Sequence, residues 1–576
     1  MEKSKKQALI LSIVAVVTLI ALVVGATFAY FKAQGGTGSS TEVKVTTYTT
    51  DMLTFTTGNA ISLYADQSSF GQEKGSLSGE TFAKATLVAN NKTNEATDNY
   101  YVYFNIENNT FKYTLGEDKP ELILTVTGPD GEVTEISGLT YTTVQDRENK
   151  TVKGFDVTTT NGLITIANKK IITATPSKEE QYTLKLTFVN YEGDQTENAK
   201  STLSAKVMIQ KEMIPQVVSD MCTNGENLAT CITTLARKSS ASITKIYHHD
   251  ADLTNGAGDN SYRYAGASDQ VNNYVCFGST QSPCPTDNLY RIIGVFGDKI
   301  KLIKSDYATT ALLGGDGDYS MMYTKKGWGN SNYKGNNYDN IAAYTWNYKN
   351  NTTMNSGYGS NTWSTSLLNK TNLNQNFITN IGADWAAKIA ETTWKVGGNT
   401  TDNIEKQPAK TVYQNEIVNP VTTNSTDNKT EYSAKIGLMY ASEYGFAAAP
   451  SAWTANLNTY NGEAIKNVNW MYMGLEELTI SRCADVAYRM LSVPDNGFVY
   501  GWRGTNFALA VRPVFNLTSS VTYVEGDGTQ SSPIRINWLT DSFEKASLKP
   551  NKKEIKSSTS VEQFTSFLSY KDAKII

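Results

Sequence analysis

Two adjacent histidines, His248 and His249, are the only ones among 576 residues, and this scarcity limits the chemistry more than any motif does. On a strand, neighbouring side chains point to opposite faces, so the pair would not share one ligand site. It opens an oxygen-rich run in which Asp250, Asp252, Asn255 and Asp259 are the candidate ligands for a calcium ion. Such an ion takes about six to eight oxygens. The EF-hand order fails, because Ser261 stands where the closing glutamate belongs. The competing reading is an Asx-rich turn. Gly314-Gly315-Asp316-Gly317-Asp318 approaches a calcium-binding nonapeptide but places its aspartate one residue early, and reads as a turn. Beyond calcium, no cofactor is expected.

Nucleophilic and acid–base sets are equally thin. Ser242-Ile243-Thr244-Lys245 fits S-x-x-K, yet its companions S-D-N and K-T-G are absent. H-E-x-x-H, G-x-S-x-G and the phosphate-binding P-loop are absent too. Glu443, Glu476, Glu477 and Asp485 are the carboxylates that merit testing, but neighbours such as Glu476 and Glu477 diverge on helix or strand. No catalytic set is expected, and the chain is read as a non-enzyme. Trp328, Tyr333, Tyr338, Trp346 and Tyr348, set among asparagines and glycines in residues 315–362, are the candidate ligand-binding residues. Flat apolar faces beside amides suit a glycan or a surface-protein ligand. The alternative is that these rings fill the core of a loop-rich fold.

Cysteines and the N-terminus place this chemistry. Cys222 with Cys231 and Cys276 with Cys284 form two close pairs without C-x-x-C spacing, leaving Cys483 alone. In an exported chain they predict two short disulfide loops, with Cys483 as a small buried residue or a reactive thiol. Ala8 to Phe31 is uncharged and apolar, preceded by Lys3, Lys5 and Lys6. It is long enough to cross a bilayer core of ~30 Å, and the lysines put the N-terminus inside. The expectation is a single-pass cell-membrane protein with its bulk extracellular. If the leader is cleaved, the protein is secreted. A net charge of −4 and a pI near 5.6 argue against nucleic acid as a partner.

The elements that must position these residues divide by composition. All nine tryptophans fall between Trp328 and Trp538, which predicts two different cores. The predicted order is a signal-anchor helix over 1–31, a spacer over 32–42, an all-β sandwich over 43–212, a helical connector over 213–240, an α+β domain over 241–537 and a flexible tail over 538–576. In the sandwich, Tyr182, Leu184, Leu186 and Phe188 alternate with polar residues, as do Leu203, Ala205, Val207 and Ile209. Gly128-Pro129-Asp130-Gly131 and Asn161-Gly162 read as hairpin turns. In the connector, Leu228, Cys231, Ile232 and Leu235 share one helical face. Further on, 289–304 reads as a hairpin about Gly297-Asp298, 363–390 as helical, 397–433 as loop, and 434–449 and 508–517 as buried strands.

Two resemblances follow. Ala26-Thr27-Phe28-Ala29-Tyr30-Phe31 and the anchor, spacer and sandwich over 1–212 resemble TasA/camelysin-like surface proteins of Gram-positive bacteria, which implies a structural or adhesive role. The 290–304 hairpin, Trp363-Ser364-Thr365-Ser366-Leu367-Leu368-Asn369, Ile436-Gly437-Leu438-Met439-Tyr440-Ala441-Ser442-Glu443-Tyr444 and Arg512-Pro513-Val514-Phe515-Asn516-Leu517 resemble a bacterial surface domain of C-type-lectin-like fold, over 260–537. That fold is shared with formylglycine-generating enzymes, but the Gly-Phe-Arg-Cys motif of the enzymatic branch is missing. The resemblance implies a lectin-like head on a β-sandwich stalk, adhesive or ligand-binding in role. The alternatives are a fibre-forming matrix protein and an exported formylglycine-generating-type oxidase.

Overall fold

The computed structural model describes residues 51–65, 76–90, 95–323, 332–335, 338–350, 357–399, 406–421 and 429–537. The predicted anchor, spacer and tail lie outside the described residues. Among those described, no helix is long and apolar enough to cross a membrane. The chain is β-rich and divides into two compact units: 1–221 with 231–248 and 270–272, and 222–230 with 249–269 and 273–576. The predicted start of the second domain at 241 thus differs from the observed division, which falls within and around the connector. Its helix, Leu228–Lys238, buries the four predicted apolar residues.

The first unit holds β1 (Met52–Thr57), β2 (Ile61–Tyr64), β3 (Leu77–Val88), β4 (Ala96–Asn109), β5 (Leu122–Gly128), β6 (Gly131–Glu132), β7 (Tyr141–Gln145), β8 (Thr151–Asp156), β9 (Gly162–Ala174), β10 (Ser177–Phe188) and β11 (Thr202–Gln210). One sheet runs β1-β3-β10-β5-β8-β7, with β6 on β5; the other runs β2-β11-β4-β9. Both sheets line one core, with Leu87, Leu124, Leu184 and Leu186 from the first and Val102, Phe104, Leu203 and Ile209 from the second. Period-two alternation puts these side chains inside, and each is worth about 1.5–3 kcal/mol. Gly128 and Gly131 pair across the predicted first turn. Asn161-Gly162 makes no hairpin: β8 pairs with β5 and β7, while β9 pairs with β4 in the other sheet. Gly162, at φ 101°, turns the chain from one sheet to the other, because a turn signal specifies a reversal and not its partner.

The second unit has two larger sheets. In the first, the strands Leu289–Phe296 and Lys299–Lys304 form the predicted hairpin, with Gly297 at φ 64°. Its partners include Val514–Asn516 on one side and Tyr274–Cys276 on the other. Beyond Tyr274–Cys276 lies Ile534–Ile536, paired in parallel as Val275 with Ile534 and Cys276 with Arg535. The second sheet is ordered Tyr319–Met322, Ala342–Tyr344, Leu509–Ala510, Glu477–Cys483, Arg489–Val493 and Tyr500–Gly504. The expected strand over 508–517 is therefore two strands in two sheets, separated at Arg512-Pro513, where the proline offers no N–H to a ladder.

Two further expectations change. Residues 441–447 form a helix, not a strand. They are buried on all sides, so periodicity does not separate helix from strand. The Glu443 carboxylate accepts the Tyr440 N–H at 3.0 Å and fixes the start of the helix. Within 397–433, expected as loop, Ala409–Tyr413 and Gln414–Val418 are helical. The helical reading of 363–390 holds for Leu368–Asn376, Phe377–Ile381 and Ala383–Ala386, broken at Gly382, φ 90°.

Candidate functional site

The predicted ligand-binding aromatics do not form one displayed surface. Trp346 is fully buried, its indole N–H donating to the Thr479 carbonyl at 2.9 Å and its ring 4.8 Å from that of Trp363. That ring is core and is not available to a ligand. Tyr333 is half-buried, stacked on Tyr307 and donating to Asp306 at 2.8 Å. Tyr348 is also half-buried, and its N–H meets the Asp318 carboxylate. Asp318 itself is buried and accepts from Thr345, Lys349 and Leu368 as well, which makes it the anchor of this loop region. Trp328 lies outside the described residues. Tyr338 lies in the short turn Tyr338–Asn340, and its side chain is outside them too.

The calcium reading is corrected by the same accounting. Asp250 Oδ1 accepts the N–H groups of Asp252 and Leu253, which is an Asx turn. Asn255 sits at φ 60°. Both oxygens of Asp259 are occupied: Oδ1 accepts from Ser261, and Oδ2 from Arg263 at 2.5 Å and Tyr413 at 2.9 Å. Burial pushes the Asp259 carboxyl up, but the Arg263 charge and these hydrogen bonds outweigh it and hold it at about 2. A guanidinium occupies the place a cation would take. His249 is buried with its ring 5.0 Å from Phe446 and 5.1 Å from Trp453, and its Nδ1 accepts the Ala257 N–H.

Cysteines behave as expected. Cys276 and Cys284 are bonded, and Cys222 and Cys231 are both in disulfide form. Two disulfides point to an extracellular or secreted protein. Cys483 is buried, its thiol donates to the Gly501 carbonyl at 3.0 Å, and burial pushes its pKa up. It is a packed thiol, not a reactive one.

The aromatic surface lies elsewhere, on the outermost strand of the second sheet. Trp502 of Tyr500–Gly504 is 46% exposed, and Tyr358 and Phe507 are 50% and 45% exposed. Arg489 pairs with Gly504 across the ladder, so it lies diagonal to Trp502 on the same face. Its guanidinium sits 4.4 Å from the Trp502 ring centroid. Tyr488, beside it, stacks on Tyr358 at 5.1 Å. The stack is pinned by backbone: Thr505 donates its N–H to the Tyr488 carbonyl and its hydroxyl to the Tyr358 carbonyl, both at 2.9 Å. The two arginines of this strand pair differ. Arg503 is held bidentately by Glu476 at 2.6 and 2.9 Å, whereas no carboxylate among the described residues forms an ion pair with Arg489. Chemically, the face offers stacking surface and a guanidinium that lies against two of its rings. None of Trp502, Arg489 and Tyr358 is among the sequence candidates; the one local signal is a tryptophan set between glycines in Gly501-Trp502-Arg503-Gly504.

A second cluster is wholly internal. Lys301 and Glu443 are paired at 2.5 Å with side chains 8% and 2% exposed. Rings of Tyr440, Trp394 and Phe296 surround the ammonium at 4.7, 4.9 and 5.6 Å. Gly437 lets the Trp394 ring lie against the backbone, since a Cβ there would meet ring atoms at 2.7 Å. Glu416, also fully buried, accepts from the Ser481 hydroxyl and, at 3.2 Å, from the Ser442 N–H. Burial lifts its carboxyl to about 7, against the pull of these hydrogen bonds. Arg512 and Glu477 form a third buried pair, bidentate at 2.8 and 2.6 Å. Of the carboxylates singled out in the sequence, Glu443, Glu476 and Glu477 are thus each committed to a different cation. Lys301 and Glu416 are not among the sequence candidates: Lys301 lies in the predicted hairpin, and Glu416 lies in a segment expected as loop. Set against models of protein families, curated proteins and solved structures, the chain matches none of them.

Proposed function

We propose that this is a membrane-anchored extracellular ligand-binding protein, with the sandwich as stalk and the second unit as a lectin-like head. The anchor is carried by the uncharged run from Ala8 to Phe31. The observation that carries the binding role is the Tyr358–Tyr488–Arg489–Trp502 face. Large exposed aromatics beside a guanidinium that has no ion pair among the described residues suit a glycan bearing acidic groups. The rings stack on the apolar faces of the sugars, and the guanidinium takes a carboxylate in bidentate fashion. The ligand-binding residues are therefore Trp502, Arg489 and Tyr358, in place of the loop aromatics expected from the sequence.

The test is an array of acidic and neutral glycans probed with the full chain. Selective binding to acidic glycans, lost in Trp502→Ala and weakened at least tenfold in Arg489→Gln, is the expected result. Equal retention by both variants, or preference for neutral glycans, overturns the reading. Assembly into fibres without glycan binding would instead favour the structural alternative, through edge-strand addition at β1, β2, β7 or β9, the terminal strands of their sheets.

A further inference from the structure

We propose that Lys301 and Glu443 are joined by an intramolecular amide bond, formed by condensation of the lysine ε-amine with the glutamate side-chain carboxyl. The two groups are already in contact. Lys301 Nζ lies 2.5 Å from Glu443 Oε1, while Oε2 is held by the Tyr440 N–H at 3.0 Å. That N–H is placed to stabilise negative charge on Oε2 as Nζ bonds to Cδ, leaving Oε1 as the departing oxygen. Positioning two groups this closely replaces an encounter in solution by an effective concentration of about 10⁵ M or more.

The surroundings favour the neutral amine that the reaction needs. Burial lowers the Lys301 pKa, against the opposing charge of Glu443, and the nearby Arg263 lowers it further. The Tyr440, Trp394 and Phe296 rings exclude water from the amine. Proton transfer from ammonium to carboxylate gives an amine and a carboxylic acid. Nζ then bonds to Cδ, the Cδ–Oε1 bond breaks, and Oε1 leaves as water carrying its own proton and one from Nζ. No oxidant, metal or co-reactant is required. Glu416 is the positioning residue: it accepts the N–H of Ser442, next to Glu443, and so fixes the backbone that carries the reacting carboxyl.

The Arg512–Glu477 pair is the internal contrast. It is as buried and as close, but a guanidinium keeps its proton and does not act as a nucleophile. Of the two, only the lysine pair can become covalent. The link would tie the 289–304 hairpin to the helix Ala441–Ala447 and close a loop between residues 142 positions apart.

The experiment is intact mass spectrometry of the purified full chain, reduced and denatured, followed by tryptic mapping. The expected mass is about 18 Da below that of the reduced sequence, the loss of one water. A branched peptide should join the segment holding Lys301 to that holding Glu443. Lys301→Arg must restore the full mass whether or not it folds. In Glu416→Gln, the linked fraction should fall and form more slowly during refolding, with its pH profile between 5 and 8 flattened. A wild-type chain at full mass, or an 18 Da deficit that persists in Lys301→Arg, overturns the proposal and leaves an ordinary buried ion pair.

Discussion

The two units solve burial differently. Among the described residues, the sandwich buries no lysine or arginine, whereas the second unit buries Arg263, Arg291, Lys301, Lys304, Lys388, Arg482 and Arg512. Where the sandwich buries Glu121, it surrounds the carboxylate with neutral donors: Thr114 N–H and hydroxyl on one oxygen, Gln195 and Asn198 amides on the other. The second unit answers two of its buried carboxylates, Glu443 and Glu477, with cations, while Glu416 and Asp318 rest on neutral donors. One architecture stands on alternating apolar strands, with its buried carboxylates Glu121 and Asp146 held by neutral donors; the other also depends on pairs whose members are costly alone. The lesson is that the sandwich should tolerate conservative polar changes, and the second unit should not.

The strongest way to break this contrast is Arg512→Met. It leaves Glu477 buried without its partner, and should destabilise the second unit by about 3–5 kcal/mol. Hydrogen exchange should show the loss in 273–537 and leave β3, β5 and β10 protected. Equal loss in both units would erase the distinction.

Acidity gives the next effect. Glu416 has its folded value raised to about 7 from an ordinary 4.5. Below about pH 4.5 it is protonated in both states and contributes fully. As pH rises towards 7 the unfolded chain ionises first, so the second unit should lose about 3 kcal/mol and then level off. Urea titrations at pH 5 and 8 would measure this, and Glu416→Gln should flatten the difference. Asp259 has the opposite sign: held at about 2, its contribution is present above its ordinary 3.8 and fades as pH falls towards 2.

In the sandwich, Glu121→Gln turns one acceptor into a donor facing donors, and should cost about 1–3 kcal/mol. Its effect should be confined to 51–210. The smallest stability change is expected at Trp502→Ala, within about 0.5 kcal/mol, even as glycan binding disappears. A larger loss would return this ring to a packing role.

The sandwich was legible because its signal is local. A period of two in β10 and β11 states which side chains face inward, without knowing the partner strands. What stayed hidden was pairing: Asn161-Gly162 promised a hairpin and delivered a change of sheet. In the second unit two of the failures share one cause. Helix 441–447 and the strand Lys299–Lys304 are covered on all sides, so neither shows an exposed face that would betray its period or mark its charges as internal. The face around Trp502 comes together from Tyr358, Tyr488, Arg489 and Trp502 across two strands and a loop, a juxtaposition that no spacing in the chain announces.

The parallel pairing of Tyr274–Cys276 with Ile534–Ile536 has a consequence in time. A strand near the start of the second unit waits for one near its end, so this sheet cannot close while the intervening chain is still being made or exported. The sandwich, whose strands all lie within 52–210, has what it needs long before. Vectorial emergence therefore sets an order: the sandwich assembles first, and the second unit stays open until its last strand arrives, exposing its unpaired sheet to chaperones and proteases in the interval.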